Sequence, residues 1–162
     1  MNREKTIAVF GIGRVGSVIV AALLRAGFNV CAVDKDASKL DTIASGEELY
    51  PDEPLVGRTL IEGYKEGRLL ITSNGGKASK ASKIKIISVP IGLKGRNPDF
   101  SLLKLAIKEL AVGMRKGDLV SIESSVPPGT SRYVVLPILE TLTGLEVEND
   151  FFLVYSPERI FQ

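Results

Sequence analysis

Two groups of residues in this chain are of types and spacings that could do chemistry. The first lies near the N-terminus, where an apolar run over residues 7–10 enters Gly11-Ile12-Gly13-Arg14-Val15-Gly16, and a second apolar run over residues 30–33 ends on Asp34. A strand, a glycine-rich turn, a helix and an acidic strand end in that order form a dinucleotide site. Gly11 permits the tight turn, Gly13 lets a pyrophosphate approach the backbone, and Gly16 lets the helix pack on the strand. The phosphates then meet the amides opening the helix, with Ile12, Arg14 and Val15 completing the loop. Asp34 sits where a carboxylate accepts both hydroxyls of an adenosine ribose and repels a 2′-phosphate, which favours NAD over NADP; Lys35 is the one adjacent cation that argues the other way. Lys39 either covers the adenosine edge or is a solvated lysine on the next helix.

The second group occupies the ends of later strands. Val89-Pro90-Ile91-Gly92 passes under the nicotinamide half of a cofactor, or is a plain proline stop. Glu123-Ser124-Ser125-Val126-Pro127-Pro128-Gly129-Thr130 holds two hydroxyls on a stiffened loop before a helix, a geometry that suits positioning as well as simple helix capping. Tyr155-Ser156-Pro157-Glu158-Arg159 brings a carboxylate to the same edge, as a reactive group or as half of a surface ion pair. There is no histidine, so acid–base work falls to carboxylates, lysines or a bound water. The single cysteine, Cys31, falls inside the second apolar run and reads as a small buried thiol; disulfides and a metal site are not expected.

The elements that must position these groups alternate. Strands are expected at residues 7–10, 30–33, 69–72, 84–89, 119–123 and 151–155. Helices are expected after Gly13 and over residues 37–45, 53–66, 100–114 and 130–141. In the third of these, Leu55, Leu60, Ile61 and Tyr64 share a side; in the fourth, Leu102, Leu103, Ala106, Ile107 and Leu110 recur at helical spacing. This alternation predicts an α/β fold: a Rossmann-like doubly wound parallel sheet with right-handed crossovers and helices on both faces. The 162 residues, 44% hydrophobic, suffice for one domain. The 21 basic and 19 acidic residues are mixed along the chain, which gives no nucleic-acid stripe. No apolar run has the length of a membrane span and no signal peptide opens the chain, so a cytoplasmic protein without membrane contact is expected.

The order of the GIGRVG turn, VDKD, a Glu-Pro pair, GRLLITSN, SVPIG, ESSVPPGT and YSPER resembles the N-terminal half of the UDP-glucose/GDP-mannose dehydrogenase family from Ile7 to Arg159. Its Ser-Pro-Glu-Arg form looks more like the UDP-N-acetyl-mannosamine branch than the UDP-glucose branch. The resemblance implies a four-electron oxidation in which the C6 alcohol of a UDP-sugar becomes a carboxylate through two hydride transfers to NAD. A cysteine of a later domain would capture the aldehyde, and a thioester on it would be hydrolysed. Ser125 matches a threonine that positions the hydrolytic water, and Glu158 matches the carboxylate that acts on that water as base. The residues from Gly11 to Gly16, with Asp34, Lys39, Val89, Pro90, Ser124 and Ser125, match cofactor contacts. Gln162 falls where some members carry a glutamate.

The family's nucleophilic cysteine, its oxyanion lysine, its long central helix and its sugar-binding domain all lie beyond this stretch. The resemblance therefore implies that residues 1–162 are an NAD-binding fragment, inactive alone, of an enzyme that is a homodimer or larger when complete. Two other classes share the glycines and Asp34: the regulatory nucleotide-binding domain of potassium channels and transporters, and the cofactor domain of β-hydroxyacid dehydrogenases. The first gives no reason for ESSVPPGT or YSPER, and the second typically has a different, serine-glycine-rich substrate loop after the fifth strand.

Overall fold

The computed structural model describes residues 2–157. Its strands are β1 (Thr6–Phe10), β2 (Asn29–Val33), β3 (Leu69–Thr72), β4 (Ile84–Ile87), β5 (Gly92–Lys94), β6 (Asn97–Asp99), β7 (Asp118–Ile122) and β8 (Phe151–Tyr155). The helices are α1 (Arg14–Arg25), α2 (Ala37–Ser45), α3 (Pro54–Lys65), α4 (Gly75–Ala81), α5 (Ser101–Ala111) and α6 (Leu136–Thr143). Six strands form one parallel sheet in the order β3-β2-β1-β4-β7-β8. The chain runs outward from β1 in one direction, returns, and continues from β4 in the other. Between these two strands the loops diverge and leave a crevice at the carboxyl ends, the usual ligand position in an open sheet.

The period-2 alternation of the strands sorts the core into two layers. Ile7 and Val9 of β1 with Val30 and Ala32 of β2 face α1, α2 and α3, where Val20, Leu24, Ile43 and Leu60 close over them. Ala8, Phe10, Cys31 and Val33 face the opposite way, toward Leu103, Ile107 and Leu110 of α5 and Leu139 of α6. Strands covered on both sides are buried along their length and read as near-continuous apolar runs, and the burial of β1 is unbroken from Thr6 to Phe10. The doubly wound sheet is thus as the alternation predicts.

Several details differ from the sequence expectations. Leu55 and Tyr64 do not share the core side of α3: they are 62% and 37% exposed, and the helix instead packs through Gly57, Leu60 and Gly63. A Cβ on Gly63 would lie 2.8 Å from a methyl carbon of Leu24, so small residues set the α1–α3 spacing. Leu102 likewise leaves the buried stripe of α5 and is half exposed. Helix α4 and the β5–β6 hairpin carry no apolar period and are unforeseen. The former is opened by Asn74, whose side chain accepts from the Lys77 N–H at 2.9 Å. The stretch after Thr130 begins as a π-helical turn, Ser131–Val135, before α6. Pro137, which has no N–H to give, stands just inside that helix.

Candidate functional site

Gly11 follows β1 with φ +93°, a conformation that L side chains rarely adopt, and a Cβ there would lie 2.3 Å from the Ser88 carbonyl oxygen. Its N–H donates to the Val33 carbonyl at 2.8 Å, so the turn is pinned between β2 and the end of β4. Helix α1 then starts at Gly13 with no side-chain cap. Its first internal bond is Ser17 N–H to the Gly13 carbonyl, at 2.8 Å, which leaves the amides of Arg14, Val15 and Gly16 as the helix's orphan donors. Nothing stands within 4 Å of where a Gly13 Cβ would be. Three free amides at the positive end of a helix, facing open space, fit a pyrophosphate.

Asp34 is fixed from three directions. Its Oδ2 accepts the Ile12 N–H at 3.0 Å and the Lys39 ammonium at 3.0 Å, and its Oδ1 accepts the Asp36 N–H at 3.0 Å. Lys39 is therefore neither free nor merely solvated: it is the counter-ion of the Asp34 carboxylate. Ile12 is fully buried, so it serves the site through its backbone. Arg14, which lines the second half of the cleft, donates to Asp52 at 2.6 Å and Glu53 at 3.2 Å and lies 5.0 Å over the Tyr50 ring. The Tyr50 hydroxyl in turn donates to the Ile12 carbonyl at 3.3 Å.

The cleft has two halves that share Gly13, Ser88, Val89 and Pro90. One, of about 240 Å³, runs from Gly11 past Asp34 to Leu102, Leu105 and Ala106 of α5, an apolar wall suited to an adenine. The other, of about 480 Å³, runs past Val15 to Glu123, Ser124 and Ser125. The cleft thus brings Asp34 and the Ser124-Ser125 pair onto one continuous surface although they come from different halves of the chain.

Ser124 is not a helix cap. Its buried hydroxyl accepts the Val89 N–H at 2.9 Å and donates to the Val89 carbonyl at 2.7 Å, tying the end of β4 to the loop after β7. Ser124→Ala strips both partners from the Val89 backbone and is expected to cost about 1–3 kcal/mol, read as a lower urea midpoint with an unchanged slope. Ser125 is exposed at the rim of the second half. Glu158, Arg159 and Gln162 lie outside the described residues. Cys31 is fully buried in β2, and burial pushes its thiol up to about 11, so it is no nucleophile. Among the described residues there is no cluster of three or more His, Cys, Asp or Glu that could hold a metal, and no helix is long and apolar enough to cross a membrane.

Sequence reasoning missed Tyr50, Asp52 and Glu109, which border the cleft or its loop from other elements. Tyr50 and Asp52 are an aromatic and a carboxylate in a polar stretch, and Glu109 is one of the charged residues of an amphipathic helix, so none carries a distinguishing signal.

A doubly wound sheet whose glycine turn, free helix amides and acidic strand end meet at the switch point defines a dinucleotide-binding domain. The chain belongs to the UDP-glucose/GDP-mannose dehydrogenase family and matches its NAD binding domain over residues 5–162. It is 36% identical to the UDP-N-acetyl-D-mannosamine dehydrogenase of Pyrococcus horikoshii over 154 residues, covering 95% of this chain and 36% of that protein. It is 34% identical to the GDP-mannose 6-dehydrogenase of Azotobacter vinelandii, over 94% of this chain and 36% of that one. The GDP-mannose dehydrogenase of Pseudomonas aeruginosa, solved as a ternary complex, superposes with a TM-score of 0.90 at 30% identity, over 96% of this chain and 36% of that one. The chain thus spans little more than a third of these relatives. The family match continues through Glu123–Thr130, the stretch that the channel-type regulatory domain left unexplained.

Proposed function

We propose that this chain holds NAD for a nucleotide-sugar 6-dehydrogenase that oxidises the C6 alcohol of a UDP-sugar to a carboxylate. The observation that carries the reading is the uncapped start of α1 beside a carboxylate that is already oriented by the Ile12 and Asp36 amides. The amides of Arg14, Val15 and Gly16 would bind the pyrophosphate, and Asp34 the adenosine ribose. Val89 and Pro90, held by Ser124, would form the floor under the nicotinamide. When bound, NAD supplies the acceptor for two successive hydrides.

Ser125, at the rim of the second half of the cleft, is assigned to orienting the water that releases the acid, and Glu158 to taking its proton. Both assignments follow the family motif. The exposure of Ser125 beside Glu123 and Ser124 is consistent with the first. The relatives include both UDP-sugar and GDP-mannose enzymes; the Ser-Pro-Glu-Arg motif favours the UDP-N-acetyl-mannosamine branch. A nucleophilic thiol has to come from outside these residues, since Cys31 is sealed in the sheet. Lacking it, the polypeptide should bind the cofactor and leave the sugar alone.

A fluorescence titration with NADH, paired with an absorbance assay of NAD and a UDP-sugar, tests this. Saturable NADH binding without NADH production is expected. Failure to bind NADH would remove the assignment of the turn, and sugar oxidation by this polypeptide would overturn the division of labour.

A further inference from the structure

Two lysines flank the ribose end of the cleft, and each is held by a carboxylate. Lys39 donates to Asp34. Lys35, the next residue after Asp34, is drawn the other way: its ammonium donates to the Ser73 carbonyl at 2.7 Å and pairs with Glu109 of α5. Glu109 lines the same half of the cleft as Asp34 and Lys35. It is itself fixed, because its second oxygen accepts the Gly75 N–H at 3.2 Å. That seat exists only because residue 75 is glycine: a Cβ there would lie 2.5 Å from Glu109 Oε2 and 2.8 Å from the Phe10 ring.

We propose that Glu109 is a second determinant of NAD over NADP, acting as a positioning residue that engages Lys35 in an ion pair and so withholds its charge from a 2′-phosphate. The inference rests on the NAD site described above. A residue directly after the ribose-reading acid is placed where a cation meets a 2′-phosphate, and cations in that neighbourhood are how dinucleotide sites accept one. Here Asp34 alone does not settle the choice, because Lys35 stands beside it as a ready phosphate ligand. With Glu109 present, a phosphate has to compete for Lys35 against a carboxylate and a carbonyl that already satisfy it, and Glu109 adds repulsion of its own. The Lys35 side chain is 49% exposed and that of Glu109 24%, so solvent moderates the pair, and its effect is that of a partly screened charge.

Glu109→Gln keeps the side chain's shape and its capacity to accept from Gly75 while removing the charge that holds Lys35. The test is fluorescence titration of the wild-type chain, E109Q and the E109Q/K35M double variant with NADH and with NADPH at low salt. E109Q should bind NADPH about fivefold more tightly, with NADH affinity changed by less than about twofold. The double variant should lose the gain, since the released lysine is its source. Unchanged NADPH affinity in an E109Q chain that binds NADH normally would overturn the proposal, as would a gain that persists without Lys35. Absence of NADH binding in the wild type would instead overturn the NAD site on which the proposal stands.

Discussion

Asp118→Asn is expected to lower the unfolding free energy by about 3–5 kcal/mol, the range for removing one partner of a buried ion pair. Asp118 opens β7 at the end of the sheet opposite the cleft, and its side chain and that of Lys85 are both fully buried. Lys85 Nζ donates to Asp118 Oδ2 at 2.6 Å and to the Ser82 carbonyl at 2.6 Å. Asp118 also accepts the Arg115 N–H at 2.9 Å and pairs with Arg3, which reaches in from the turn before β1. Asparagine would leave two cations converging on an uncharged amide. Burial already pushes Lys85 down to about 8 from its ordinary 10.5, against the pull of the Asp118 carboxylate. Without that carboxylate its pKa falls further, and native Lys85 sheds its proton at lower pH while the unfolded chain keeps it. Between the folded and unfolded values the unfolded state binds more protons, so stability rises with pH. The penalty of the variant should therefore be larger at pH 7 than at pH 9 in urea unfolding. A loss below about 1 kcal/mol would mean that the pair behaves as an exposed one.

This ion pair also marks the limit of what the residues disclose in order. Lys85 sits in the middle of an apolar run and Asp118 follows a Lys-Gly turn, so one reads as an irregularity in a strand and the other as a loop residue. Only the parallel pairing of β4 with β7 brings them together. The same holds for Glu109 of α5, whose partner Lys35 lies just past the end of β2. The Ser124–Val89 clamp likewise joins two loops that read as independent motifs. Local features were legible wherever backbone geometry dictates residue type: the glycine turn, the acid ending β2, and the two-sided apolar strands. Helix α4 was not, because it packs through absent side chains. Its Gly75 lies against Glu109 and Phe10, and a Cβ on Gly113 would meet the Lys80 backbone nitrogen at 2.4 Å. Close contact between helices leaves no apolar period to read.

Glycine positions also allow folding and binding to be separated. Gly16→Ala and Gly13→Ala add the same methyl group three residues apart; both are expected to weaken NADH binding, and only the first to disturb the fold. At Gly16 the Cβ would fall 1.9 Å from the Gly11 carbonyl oxygen and 2.9 Å from its carbon, inside van der Waals contact with backbone. Gly11 has little room to retreat, because its N–H is bonded to the Val33 carbonyl at 2.8 Å and the Ser88 carbonyl lies close on its other side. The helix must lift off β1, which costs about 1–3 kcal/mol or more of overpacking and carries the three free amides away from the turn. NADH binding should fall by about 100-fold or more, the scale of a misplaced anion site. At Gly13, φ is −68° and the Cβ meets nothing within 4 Å, so alanine fits the fold and forfeits at most about 1 kcal/mol as a poorer N-cap. Its methyl would project into the open space assigned to the pyrophosphate, so the Gly13 variant should melt within a few degrees of the wild type and still bind NADH poorly. Equal losses of stability in the two variants would show that the contact at Gly16 is relieved elsewhere; undiminished NADH binding by Gly13→Ala would place the pyrophosphate away from this turn.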